Sequence, residues 1–121
     1  MDDARVWEFE KSLWVGEGDI YRRAVDERCV MALPRPPYIL SGAEAIDAVA
    51  NTPRWSAVSF SEQRVERPQE GLIVVGYRVE AQAGGVDYVA HCTSTYRREA
   101  HDDWRVVQHQ QTPDGPQADQ A

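Results

Sequence analysis

"LIVVGYRVEAQAGGVDYVAHCTSTYRRE", Leu72 to Glu99, decides the fold. Successive side chains of an extended chain point to opposite faces. In the first half, Ile73, Val75, Tyr77, Val79 and Ala81 therefore share one side, opposite Gly76, Arg78, Glu80 and Gln82. "AGG" then turns the chain, and in the second half Val86, Tyr88, Ala90, Cys92 and Tyr96 lie opposite His91, Thr93 and Thr95. Two long runs rich in β-branched and aromatic residues, joined by a short turn, predict neighbouring antiparallel strands with one apolar face to cover.

The pattern extends outward on both sides. Before it, "SAVSFSEQRVER" is a further strand with a turn at "PQEG"; after it, "AHDD" leads into a last strand, Trp104 to Thr112. "PDGPQADQA" is polar and Pro/Gly-containing, so the domain is expected over 1–113 and a disordered tail over 114–121. Upstream the period changes. Val6, Phe9 and Leu13, flanked by Trp7 and Trp14, predict an amphipathic helix over Ala4 to Val15. Asp19 is placed to cap a second helix that presents Ile20, Ala24 and Val25. "CVMAL" reads as a short buried strand stopped by the prolines of "PRPP". In "SGAEAIDAVA", Ser41 and Glu44 form the reciprocal capping box of a third helix with Ile46 and Val49 inward. Helices segregated on one face of a bent antiparallel sheet make an α+β domain. Three helical segments over a curved sheet leave a blind conical hollow between them.

The 121 residues suit one domain with one core. Thirteen basic against twenty acidic residues give a net charge of −7, which opposes nucleic acid and anionic membranes and favours neutral or cationic partners. "MDDARVWEFEKSLW" lacks both a basic leader region and an unbroken apolar run, so neither a signal peptide nor a membrane span is expected, and the expected location is the cytoplasm. Cys29 and Cys92 sit in apolar strand-like runs without metal-ligand spacing and read as small buried hydrophobes. The histidines and carboxylates show no metal spacing, and no phosphate-binding glycine loop or nucleophile elbow is present, so no metal and no cofactor are expected.

Over about residues 4 to 113 the chain resembles the SnoaL-like branch of the nuclear transport factor 2-like (ketosteroid-isomerase-like) superfamily, in particular its small members of the domain-of-unknown-function type. The resemblance is carried by "WEFEKSLWVGEGDIYRRAVDERCVMALP", "LSGAEAIDAVANTPRW", "HCTSTYRRE" and "WRVVQHQQTP". It implies a cone-shaped, barrel-like fold of three N-terminal helices on a strongly curved sheet, homodimerisation through the open sheet face, and a pocket whose use differs among members. In ketosteroid isomerase an Asp base works with a Tyr and a protonated Asp. That trio has no place here, because the only Asp on the long strands is Asp87, beside a turn.

Two groups of residues carry the functional expectation. In "WRVVQHQQTP", strict alternation sets Trp104, Val106, Gln108 and Gln110 against Arg105, Val107, His109 and Gln111, and a bulge can switch the faces. With His109 and Gln111 toward the pocket, the imidazole is the candidate acid/base group and the amide orients a polar ligand. The plainer alternative is that both satisfy backbone groups where the sheet ends. The second group is aromatic. Trp14, Tyr21, Trp55, Tyr77, Tyr88 and Tyr96 are expected to line the cavity, with Tyr77, Tyr88 and Tyr96 as hydroxyl handles, against a reading as core packing. Arg54, beside Trp55, is placed to close over an anionic ligand.

The sequence thus predicts a protein that binds a small, largely apolar organic ligand. If it is an enzyme, the chemistry is cofactor-free isomerisation, cyclisation or hydration with His109 or a tyrosine moving the proton. The alternative is a non-catalytic dimerisation or protein-association module using the face of His91, Thr93, Thr95 and Arg97.

Overall fold

The computed structural model describes residues 1–115. Helix α1 (Asp3–Val15) opens at Asp2, whose carboxylate accepts a hydrogen bond from the Arg5 amide at 2.9 Å. Its inward stripe is Val6, Glu10, Leu13 and Trp14, all buried, so a carboxylate stands in the middle of the apolar face. Helix α2 (Gly18–Ala24) follows at once and buries Tyr21 and Ala24. Strand β1 (Val25–Ala32) and the short β2 (Ile39–Ser41) come next. Helix α3 (Gly42–Ala50) begins with the expected box: the Glu44 amide donates to Ser41 Oγ, and the Ser41 amide donates to the Glu44 carboxylate. Gly42 is required there, because a Cβ would lie 1.8 Å from the Asp26 carbonyl oxygen where α3 meets β1.

The long strands β3 (Ala57–Gln69), β4 (Leu72–Ala83), β5 (Val86–Ala100) and β6 (Asp103–Pro113) complete one six-stranded sheet in the order β2-β1-β6-β5-β4-β3. The sheet is open, with β2 and β3 at its edges. The helices and the apolar sheet face enclose the core, to which β4 contributes Ile73, Val75, Tyr77, Val79 and Ala81 and β5 contributes Ala90, Cys92, Ser94 and Tyr96. Bulges bend the sheet. In β3 the register slips between Ser61 and Arg64, where Glu62 has φ of 52°. In β6 it slips by one residue, since Thr95 faces Gln108 while Tyr96 faces Val106.

Several expectations need correction. The sheet is not wholly antiparallel, because β1 pairs parallel with β6. That pairing joins strands from opposite ends of the sequence, which local alternation does not report. Asp19 does not cap α2; Glu17 holds the cap position without a side-chain bond, and Asp19 pairs with Arg22 on the surface. Val25 starts β1 instead of ending α2, and Ile20 is exposed. Asp114, expected in a disordered tail, donates its amide to the Val89 carbonyl at 3.0 Å and lies 3.1 Å from His91 Nδ1. Residues 116–121 of that expected tail lie outside the described residues. Among the described residues, no helix is long and apolar enough to cross a membrane.

Candidate functional site

The α1 stripe carries Glu10 into the core with no solvent exposure. A buried carboxylate needs hydrogen-bond donors to offset its lost hydration. Three hydroxyls from the facing strands supply them. Tyr77 Oη and Ser94 Oγ donate to Oε2, the latter at 2.6 Å, and Tyr96 Oη donates to Oε1. Trp14 Nε1 in turn donates to Tyr77 Oη at 3.0 Å. The inward faces of β4 and β5 thus hold a fan of hydroxyls aimed at one residue of the helix above.

The bulge in β6 connects this cluster to the cavity. With Trp104 and Val106 inward, an extra residue at Val107 shifts the alternation, so His109, 5% exposed, also points inward. Its Nδ1 lies 2.7 Å from Ser94 Oγ and 3.7 Å from Glu10 Oε2. Ser94 has one hydroxyl hydrogen and gives it to Glu10, so toward His109 it accepts, and Nδ1 carries the imidazole proton. His109 Nε2 then holds the lone pair, consistent with Gln111 Nε2 donating to it at 3.1 Å. Tyr88 Oη fixes that amide by donating to Gln111 Oε1 at 3.0 Å. One directed chain therefore runs from Tyr88 through Gln111, His109 and Ser94 to Glu10.

The environment tunes the members of this chain. Burial holds the His109 imidazole below its ordinary value of 6.5, while the Glu10 charge and a backbone hydrogen bond at Thr93 pull the other way. Tyr77 and Tyr96 are pushed well above the usual phenol range, first by burial and then by the neighbouring Glu10 charge. They hold their protons and act as donors.

Next to His109 lies a cavity of about 120 Å³. Leu13, Leu33, Leu40, Ala45, Ala48 and Val49 supply apolar wall, Trp14 and Trp55 the aromatic wall, and Tyr21, Arg54, His109 and Gln111 the polar groups. Tyr88 stacks on Trp55 with ring centroids 5.6 Å apart, and Trp14 meets the His109 ring edge-on at 6.1 Å. Tyr21 Oη reaches Met31 Sδ at 3.4 Å.

The structure brings together five of the expected residues, Trp14, Tyr21, Trp55, His109 and Gln111, on one cavity wall. Tyr88 supports that wall through Gln111 and Trp55. Tyr77 and Tyr96 do not serve as handles on the wall; both hydroxyls are taken by Glu10, behind the cavity. Glu10 and Ser94 are the residues that sequence reasoning missed. The signal for Glu10 lay in its spacing, four residues after Val6 and four before Trp14, and Ser94 continues the apolar side of β5 between Cys92 and Tyr96. Asp87 is exposed, and Cys29 and Cys92 are buried free thiols, each pushed up to about 12 by desolvation. His91 sits at the surface, with Glu62 and Asp114 beside it.

Comparison with known proteins places this geometry in a fold. No protein-family model matches the chain, and no curated protein matches it. Solved structures do. A candidate ketosteroid isomerase from Parabacteroides distasonis superposes with a TM-score of 0.79 at 13% identity, covering 92% of this chain and 86% of that one. An NTF2-like protein of unknown function in nutrient uptake from Rhodospirillum rubrum gives 0.77 at 15% identity, covering 95% and 100%. The association domain of C. elegans CaMKII gives 0.73 at 14% identity, covering 90% and 91%. The chain has the α+β cone fold of nuclear transport factor 2-like and ketosteroid-isomerase-like proteins.

Proposed function

We propose that this protein binds a small, mostly apolar organic molecule in the cavity beneath its three helices, and that His109 exchanges a proton with it. The observation that carries the reading is the directed chain that ends on buried Glu10 and leaves the His109 Nε2 lone pair on the cavity side, where the Gln111 amide donates to it. A histidine that merely filled core would need neither the carboxylate behind it nor the cavity in front. A cavity of about 120 Å³ is close to the roughly 150 Å³ that accommodates benzene in an engineered apolar site, so the ligand, or the part of it enclosed, is about one ring in size.

The chemistry follows from the network. Nε2 takes a proton from a ligand O–H or activated C–H, and the resulting imidazolium keeps its Nδ1 proton on Ser94 Oγ, facing the Glu10 charge. Returning the proton to another ligand atom completes an isomerisation with no cofactor. The reading is tested by titrating phenol into the isotope-labelled protein by NMR. Phenol shifts the indole N–H signals of Trp14 and Trp55 and the His109 ring, and the His109→Ala variant loses most of its affinity for the hydroxyl while retaining its fold. No saturable shift in those signals would end the proposal.

A second reading concerns association, and the two are compatible. The outer sheet face carries a ladder in which Thr93 Oγ1 donates to Gln110, Thr95 Oγ1 to Gln108 and Gln108 Nε2 to Thr93, beside exposed Val30 on β1. An open sheet face of this kind suits a second copy of the chain, and the likeness to an association domain supports it. In this picture the protein is a cytoplasmic homodimer.

A further inference from the structure

We infer that the cavity's ligand is an organic anion, a small carboxylate held by Arg54 with its apolar body against Trp55 and Trp14. This rests on the ligand-binding reading above and adds the ligand's charge.

Arg54 lies in the segment between α3 and β3 and forms part of the cavity wall. Its guanidinium is held from two sides. Nε donates to the Gly16 carbonyl at 2.8 Å, Nη2 donates to the Leu13 carbonyl, and the Tyr21 ring centroid lies 5.3 Å from Cζ. Both carbonyls belong to the C-terminal end of α1, where the helix leaves acceptors without internal partners. These dipoles orient the guanidinium, but two neutral carbonyls do not cancel a unit charge. Nη1 is engaged by neither.

Among the described residues, no counter-charge balances this guanidinium. Among the described residues no carboxylate lies within ion-pairing distance of Arg54, although most other arginines here have such a partner. Among the described residues no Asp or Glu lines the cavity, and Glu10 is screened from it behind Ser94 and His109. Partial burial disfavours the charged guanidinium. The result is a cationic wall in a protein whose net charge is −7. A planar guanidinium suits a planar carboxylate, because two parallel N–H donors can meet two oxygens. Bulk charge favours neutral or cationic partners; this cavity has the opposite sign. The competing explanation is that Arg54 serves only as a cap for α1, and a cap is indifferent to the charge of a cavity ligand.

The experiment compares benzoate with benzamide, its neutral near-isostere, by NMR titration at pH 7.5, with phenol as the control for cavity occupancy. Benzoate is expected to bind at least about 10-fold more tightly than benzamide, as charge-assisted hydrogen bonds require. In Arg54→Gln that preference falls below about 2-fold. Equal affinities in the wild-type protein, or a preference that survives Arg54→Gln, overturn the inference. If phenol binds and benzoate shows no preference, the charge assignment fails and the ligand-binding reading stands. If neither binds, both fail. Should Arg54→Gln not fold, the benzoate-to-benzamide ratio of the wild-type protein decides alone, because a cap-only Arg54 predicts a ratio near one.

Discussion

The buried carboxylate makes a prediction whose sign reverses with background. Tyr96 Oη has Glu10 as its hydrogen-bond acceptor, and the Tyr96 side chain is fully buried. In the wild-type protein Tyr96→Phe removes a hydrogen bond to a charged group, a loss of about 1.5–3 kcal/mol. Glu10→Leu alone strips the acceptor from three buried hydroxyls at once, those of Tyr77, Ser94 and Tyr96. Each orphaned donor costs about 1–3 kcal/mol, but the Ser94 hydroxyl can turn to His109 Nδ1 once the imidazole switches tautomer, which leaves the two tyrosine donors orphaned, so the whole loss is set at about 3–5 kcal/mol. In the Glu10→Leu background Tyr96→Phe then deletes an orphan, and is stabilising by about 1 kcal/mol or more. The coupling in the double-mutant cycle is therefore about 3 kcal/mol. Urea unfolding followed by tryptophan fluorescence measures it. At a slope of about 2 kcal/mol/M, Glu10→Leu lowers the midpoint by roughly 2 M, and adding Tyr96→Phe raises it again. A domain of this size has about 5–15 kcal/mol to lose from, so all four proteins are measurable when the wild-type value lies above about 6 kcal/mol. Tyr96→Phe destabilising by the same amount in both backgrounds would refute the network as described.

Burial lowers the His109 pKa from its ordinary 6.5, so the folded state takes up its proton later than the unfolded chain. Stability is therefore fullest above about pH 6.5 and declines as pH falls from there toward the folded-state value. Urea midpoints between pH 8 and 5 show that decline, and His109→Gln flattens it; equal slopes in the two proteins would remove His109 as its source. On the outer face, Val30→Arg with Gln108→Arg places like charges where two sheets would meet, and sedimentation velocity then shows a wild-type dimer and a variant monomer. A wild-type protein that sediments as a monomer at tens of micromolar would rule out the association reading.

What the sequence made legible was local. The alternation from Ile73 to Ala81 is readable because each residue's face depends only on its neighbours, and the same five side chains are buried. The Ser41 and Glu44 box is readable because both bonds close within one turn. Long-range geometry was not. The parallel pairing of β1 with β6 joins Met31 to His109, and nothing near either residue announces it. The face of His109 depended on a single extra residue at Val107, which strict alternation cannot place. Glu10 lies between these cases. Its position on the stripe was visible, but a lone acid on a helix ordinarily turns to water, and only the opposing hydroxyls of Tyr77, Ser94 and Tyr96 make its burial tolerable.

The core and the cavity are in this sense one device. A purely apolar core in place of the Glu10 cluster would be as stable or more so, since buried charges lose more hydration than they readily recover. What the cluster adds is direction. With Tyr77, Ser94 and Tyr96 all donating toward Glu10, the Ser94 oxygen can only accept from His109, so Nδ1 carries the proton and Nε2 does not. With Tyr88 donating to the Gln111 oxygen, the Gln111 amide can only offer its N–H groups to the cavity side. Each orientation is settled by a bond farther from the ligand than the group it settles. The cavity therefore presents one basic nitrogen, amide N–H donors and one guanidinium on an otherwise apolar and aromatic wall. Of these groups the imidazole is the one whose polarity is set in the core: its basic nitrogen faces the cavity because of a carboxylate, Glu10, that no ligand touches.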